Sequence, residues 1–141
     1  MTGDALIERF ERGLEPGDAF HHADHLQLAF AYLCKYPALQ ALEKFADALK
    51  RFAAARGKTQ LYNETITCAY FFLIRERMVS SEAVGWEEFA NQNPDLLIWK
   101  DGILSRYYCE GTLQSDLARE VFVLPDKCFE RQTGGDSVRR Q

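Results

Sequence analysis

The chain of 141 residues has only four cysteines, and no two of them form a CxxC pair. Cys34, Cys68, Cys109 and Cys128 lie far apart. Most have apolar or aromatic neighbours (Leu33, Ala69, Tyr108), the setting of packed thiols rather than of a disulfide or a reactive sulfur. Long apolar runs are missing as well. The densest, residues 28–34 and 69–74, fall far short of the ~20 residues that span a bilayer. Asp4, Glu8 and Arg9 stand where a secretory signal would be apolar, so a reducing cytoplasm is the expected location. The sequence has no phosphate-binding glycine loop, no serine nucleophile elbow and no HExxH, which argues against nucleotide hydrolysis and serine-hydrolase chemistry. Nor is there a basic excess. Lys plus Arg number 17 against 21 Asp plus Glu, a net charge of −4, so neither nucleic acid nor an anionic membrane is the expected partner.

What is present is ordinary globular material: 47% hydrophobic, 13% aromatic and 27% charged. A chain of this length can bury about two thirds of its unfolded surface, enough to fold without a metal or crosslink. With no repeat, low-complexity segment or linker, one domain over residues 1–128 is expected, with residues 129–141 as a mobile tail.

The apolar spacing is helical throughout, which predicts an all-α, compact single-domain bundle of about four longer helices followed by several short ones. Thr2 is a fitting cap for a first helix with Leu6, Ile7, Phe10 and Leu14 on one face. Asp18 can cap a second, running to about residue 36 with Leu26, Ala29, Phe30 and Leu33 inward before the Pro37 break. A third spans about 38–56, with Leu39, Leu42, Phe45, Ala46, Leu49, Phe52 and Ala53 as its stripe and Gly57 as its stop. The fourth, about 62–78, is apolar nearly all round from Ile66 to Ile74 and reads as the central helix. Short helices are expected at 85–91, after Asn93–Pro94, at 103–109, and at 112–122 with Thr112 as cap. Trp86 and Trp99 are expected in the core.

All three histidines fall in the run Phe20-His21-His22-Ala23-Asp24-His25. On a helix, His21 and His25 (i,i+4) or His22 and His25 (i,i+3) can aim at one point, as the ligands of helical-bundle metal sites do. At a first turn the helix dipole disfavours imidazolium and keeps the rings able to ligate, and Asp24 could orient a ring through its second nitrogen. The plain alternative is a solvated cluster, although His22 is in line with Leu26, Ala29 and Leu33 and so faces the core.

The second candidate is Tyr62-Asn63-Glu64-Thr65-Ile66-Thr67 at the start of the central helix. Glu64 is either a first-turn residue complementing the dipole or a buried functional carboxylate. Asn63 is a ready N-cap, and Thr67 can bond its own helix. If the second and fourth helices are neighbours, Asn63, Glu64 and Thr67 face His22 and His25. Tyr108 and Arg119, from the C-terminal helices, could close a pocket, Arg119 by holding a carboxylate or phosphate.

The order Phe20-x-His22-x-Asp24-His25-Leu26-x-x-Ala29, Tyr62-Asn63-Glu64-Thr65-Ile66-Thr67, Asn93-Pro94-x-Leu96-Leu97, Tyr107-Tyr108 and Leu117-Ala118-Arg119 resembles a family of small uncharacterised bacterial all-helical proteins. The likeness runs over roughly residues 5–127 and brings no named reaction. Relatives tend to carry His where this chain has Asn63. The resemblance therefore implies a site of His22, His25 and a third histidine with the neighbouring glutamate, from which this chain departs. Asparagine can still ligate through its carbonyl oxygen, though it suits hard cations better than zinc or copper.

The expected function is that of a small-molecule enzyme. His22, His25, Asn63 and Glu64 would hold a divalent metal of unspecified identity, or His22 or His25 would act as base with Glu64 orienting it, while Tyr62, Asn63, Thr67, Tyr108 and Arg119 bind substrate. The competing expectation is a non-enzymatic module that binds a ligand or a partner helix. A small-molecule ligand is the expected partner, and a homodimer is left open.

Overall fold

A computed structural model describes residues 2–13 and 20–127, and the described residues contain no strand. Four longer helices come first: α1 (Gly3–Glu11), α2 (His22–Lys35), α3 (Ala38–Ala55) and α4 (Glu64–Val79). Two short ones follow, α5 (Trp86–Gln92) and α6 (Asp116–Glu120), with 3-10 turns at Thr59–Leu61, Pro94–Leu97 and Ile103–Arg106. The protein is thus the all-helical bundle that the periodicity predicts. Leu14, Asp18, Cys128 and residues 129–141 lie outside the described residues.

Thr2 caps α1 by accepting from the Ala5 amide at 3.1 Å, and Ile7 and Phe10 are the buried side chains of that helix. The start of α2 is set from within. The Asp24 carboxylate accepts the His21 amide at 2.8 Å, which satisfies one of the orphan donors of a helix start and makes His21 the cap. His21 therefore precedes the helix instead of sharing its first turn with His22, and Asp24 is a backbone partner, not the orienter of a ring. His22 and His25 remain one turn apart.

Helix α3 buries Ala41, Phe45, Ala48 and Leu49. Leu39, expected inward, is 74% exposed. At about 100° per residue it stands almost opposite Ala41, off the stripe that the later turns define. Helix α4 touches α2, α3 and α6, and buries Thr65, Thr67, Cys68, Tyr70, Phe71 and Ile74, most of its circumference. Gly57 closes α3 at φ +66°, and the short connection to α4 sets the end of α3 beside the start of α4.

The C-terminal half is built of short pieces held by side chain to backbone bonds. Ser115, not Thr112, caps α6, while Thr112 donates to Asp126 at 2.7 Å. Residues 121–127 carry no helix, and their first part passes the start of α4. The buried Thr65 hydroxyl donates to the Val121 carbonyl at 2.8 Å and accepts the Val123 amide at 3.0 Å. Trp86 is half-buried against Phe30 and Phe89, whereas Trp99 is 57% exposed, contrary to its expected place in the core. Of the described cysteines only Cys68 is buried; Cys34, near the end of α2, and Cys109, in the irregular segment before α6, are exposed whatever their neighbours in sequence.

Candidate functional site

The first turns of α2 and α4 open onto one cavity of about 820 Å³, a volume that suits a small organic molecule. Its inner wall is apolar: Leu26 and Ala29 from α2, Phe45 and Leu49 from α3, and Ile66, Tyr70 and Ile74 from α4. Exposed residues that also line it (His21, Lys58, Gln60, Leu61, Trp99 and Gln114) mark where it meets water.

His22 and His25 both line this space. The His22 ring is half-buried, packed edge-on against Tyr70 (centroids 4.8 Å apart) and against Trp99 (5.0 Å). Its Nε2 lies 2.9 Å from the Leu96 carbonyl. A carbonyl only accepts, so Nε2 carries the proton and donates, which leaves Nδ1 as the acceptor of the neutral ring. Burial lowers the His22 pKa, against the opposing pull of that carbonyl. His25 packs on Phe20 with centroids 4.4 Å apart. Burial first, then repulsion from His22, lowers its pKa to about 4 against the attraction of Asp24. Both rings are neutral at pH 7. Neither nitrogen of His25 has a hydrogen-bond partner among the described residues, an unusual state for a ring so enclosed.

The motif at the start of α4 divides its work. Asn63 Oδ1 accepts the Ile66 amide at 2.9 Å and so caps the helix, while Nδ2 donates to the Leu113 carbonyl at 2.7 Å and pins the C-terminal half onto α4. The Tyr62 hydroxyl donates to Glu64 at 2.7 Å and has the Thr67 hydroxyl as a second hydrogen-bonding neighbour. Burial, reinforced by Glu64, pushes the Tyr62 pKa up. Tyr62, Asn63, Thr67 and Arg119 line the cavity with the two histidines. Glu64 and Tyr108 do not: Glu64 is turned to Tyr62, and Tyr108 is buried with its hydroxyl donating to the Val123 carbonyl at 2.7 Å.

The expected metal set fits this arrangement poorly. Among the described residues no three of His, Cys, Asp or Glu converge as a metal shell. The Asn63 oxygen serves its own helix, and Glu64 serves Tyr62.

Sequence reasoning passes over Tyr70, Arg56 and Lys58, which also line the cavity. Tyr70 is 6% exposed, and burial raises its pKa to about 12. Its hydroxyl lies 3.2 Å from where a Cβ on Gly102 would stand and has no hydrogen-bond partner among the described residues. The signal for Arg56 and Lys58 was available: they flank Gly57, at the end of the helix that leads by a short turn into the Tyr62–Thr67 motif. No helix among the described residues is long and apolar enough to cross a membrane. No family model matches the chain, and no match is found among curated proteins or among solved structures.

Proposed function

We propose that this protein is a binding module for a small organic molecule, held in the cavity among α2, α3 and α4. One observation carries this reading: His25 lines that space as a neutral ring with no hydrogen-bond partner among the described residues, against an apolar wall. An enclosed polar group is normally satisfied, and a ligand that seats here supplies the missing partner. His22 adds a fixed acceptor at Nδ1, because its other nitrogen is committed to Leu96.

The enzymatic alternative receives less support. A histidine base oriented by Glu64 asks for an imidazole–carboxylate contact, and Glu64 instead accepts from Tyr62. A ring whose pKa lies near 4 is also a feeble base at neutral pH, where efficient proton transfer favours a pKa close to the working pH.

The test uses a neutral dye that brightens in apolar surroundings, N-phenyl-1-naphthylamine. Saturable binding of one dye per chain is expected, weakened at least about tenfold in Ala53→Phe, which fills the cavity from α3. Absence of saturable binding, or equal binding by a variant whose circular dichroism and melting match the parent, overturns the proposal.

A further inference from the structure

The charged lining of the cavity has one sign. Arg56, Lys58 and Arg119 border it, and among the described residues no aspartate or glutamate does, in a chain whose overall charge is −4. With acidic residues in excess, a lining drawn at random would carry carboxylates. Three described carboxylates near lining residues in sequence are engaged elsewhere: Glu64 accepts from Tyr62, Asp24 from the His21 amide, and Asp116 pairs with Arg119 while itself 98% exposed. A surface ion pair with so exposed a partner is weak, so the Arg119 guanidinium can exchange Asp116 for a better anion. Arg56 lies over the Phe52 ring at 3.8 Å, which braces its planar head at the cavity wall. The inner wall is hydrocarbon and aromatic, ending on neutral His25 and the Tyr70 hydroxyl.

We infer that the ligand is an amphipathic organic anion, with an apolar body lying against Leu26, Leu49 and Ile74 and an anionic head, such as a carboxylate, held by Arg119 and Lys58. The inference rests on the cavity reading above. It follows from two requirements that one molecule meets together: the apolar wall asks for a desolvated body, and Lys58 and Arg119 at its border ask for a negative head. Neutral histidines impose no repulsion on a cation, so discrimination against amines comes from Arg119, Lys58 and Arg56 alone.

The experiment displaces the neutral dye N-phenyl-1-naphthylamine with four probes: decanoate, decan-1-ol, decylamine and inorganic phosphate. Decanoate is expected to displace it at about tenfold lower concentration than decanol, with decylamine weakest and phosphate inert. In the double variant Lys58→Gln/Arg119→Gln the advantage of decanoate over decanol should fall to less than about threefold. Unchanged affinity for decanol and for the dye would show that the variant keeps its fold. Equal displacement by decanoate and decanol in the parent overturns the anion inference and leaves the cavity reading standing, as does a decanoate advantage that survives in the double variant. Displacement by inorganic phosphate alone would show an anion site without an apolar body. Failure of the dye to bind at all overturns both readings.

Discussion

Two hollows border α4, and they differ in how their polar groups are used. Near its C-terminal end a depression of about 370 Å³ is lined by Glu76, Arg77, Ser80, Ser81, Gln92 and Asn93. Most of these groups are paired. Arg77 donates to both Asp95 carboxylate oxygens at 2.8 and 2.9 Å and to Asn93 at 3.0 Å, and Asn93 donates to the Phe89 carbonyl at 2.9 Å. Ser80 donates to the Glu76 carbonyl, and Ser81 to Gln92. Near the N-terminal end the cavity is larger, apolar within, and leaves His25 and Tyr70 without hydrogen-bond partners among the described residues. Concavity alone therefore does not mark a site. A hollow whose donors and acceptors answer one another is structural, and one that leaves polar groups unanswered is the better candidate for a site.

The sharpest way to break this comparison uses two leucines of α2. Leu26 and Leu28 are both buried, at 2% and 0% exposure, but only Leu26 lines the cavity. Leu28→Ala should cost about 4 kcal/mol, within the range for a fully packed leucine. Leu26→Ala should cost only about 2 kcal/mol, since a side chain bordering a void has partner atoms on fewer sides. Urea denaturation of both variants checks it; equal losses would mean that the cavity is collapsed in solution. The next largest effect is in pH. The His25 pKa is 6.5 in the unfolded chain and about 4 in the folded one, so between those values the unfolded state binds the extra proton. The stabilisation is complete above pH 6.5 and is lost as pH falls toward 4, by about 2 kcal/mol for a half-buried ring. His25→Gln should remove most of that slope, with the residue due to His22, whose pKa is lowered in the same direction. A variant as acid-sensitive as the parent would place the depressed group elsewhere.

Which parts of this were legible in the sequence follows from how local each cause is. The four longer helices rest on apolar spacing within a few turns, and they stand where that spacing puts them. The Asn63 cap and the inward face of His22 are equally local. The start of α2 was harder, because Asp18 and Asp24 can both serve as capping carboxylates, one from before and one from within. Trp99 and Cys109 depended on the packing of short turns that carry little periodicity of their own. Glu64 invited a cross-helix partner yet found Tyr62 two residues away. The one-sided charge of the cavity was invisible to motif reading, since Arg56, Lys58 and Arg119 meet only through the α3–α4 turn and the docking of α6 on α4.

The paired hollow can be opened to resemble the unpaired one. Arg77→Ala removes three hydrogen bonds and leaves the buried Asn93 oxygen without its donor, at a cost of about 1.5 kcal/mol once the partial exposure of Arg77 and Asp95 is allowed for. Arg77→Lys should recover less than half of it, because an ammonium cannot reproduce the fork to both carboxylate oxygens. The perturbation should reach the larger cavity. Leu96, whose carbonyl accepts from His22, follows directly on Asp95, so the His22 ring resonances should move while those of His25 stay in place. Unmoved His22 resonances in Arg77→Ala would show that the two ends of α4 are independent.

The smallest effect is the most diagnostic of how the cavity is closed. Were Asn63 only a cap, Asn63→Asp would be neutral, as aspartate caps a helix as well as asparagine does. Asn63 also donates from Nδ2 to the Leu113 carbonyl at 2.7 Å, and that bond brings Leu113 and Gln114 to the cavity. An aspartate there keeps the cap but sets a carboxylate oxygen against a carbonyl oxygen, with no donor between them. Asn63→Asp should therefore cost about 1 kcal/mol at pH 7, the worth of one hydrogen bond replaced by repulsion. The loss should shrink as pH falls below about 4, where a protonated carboxyl can donate to Leu113 again. Asn63→His, which caps poorly, should lose about as much at pH 7. Stability of the parent and both variants at pH 7 and at pH 3.5 separates the two roles: an aspartate variant equal to the parent at pH 7 would reduce Asn63 to a cap and leave the closure of the cavity to α6 alone.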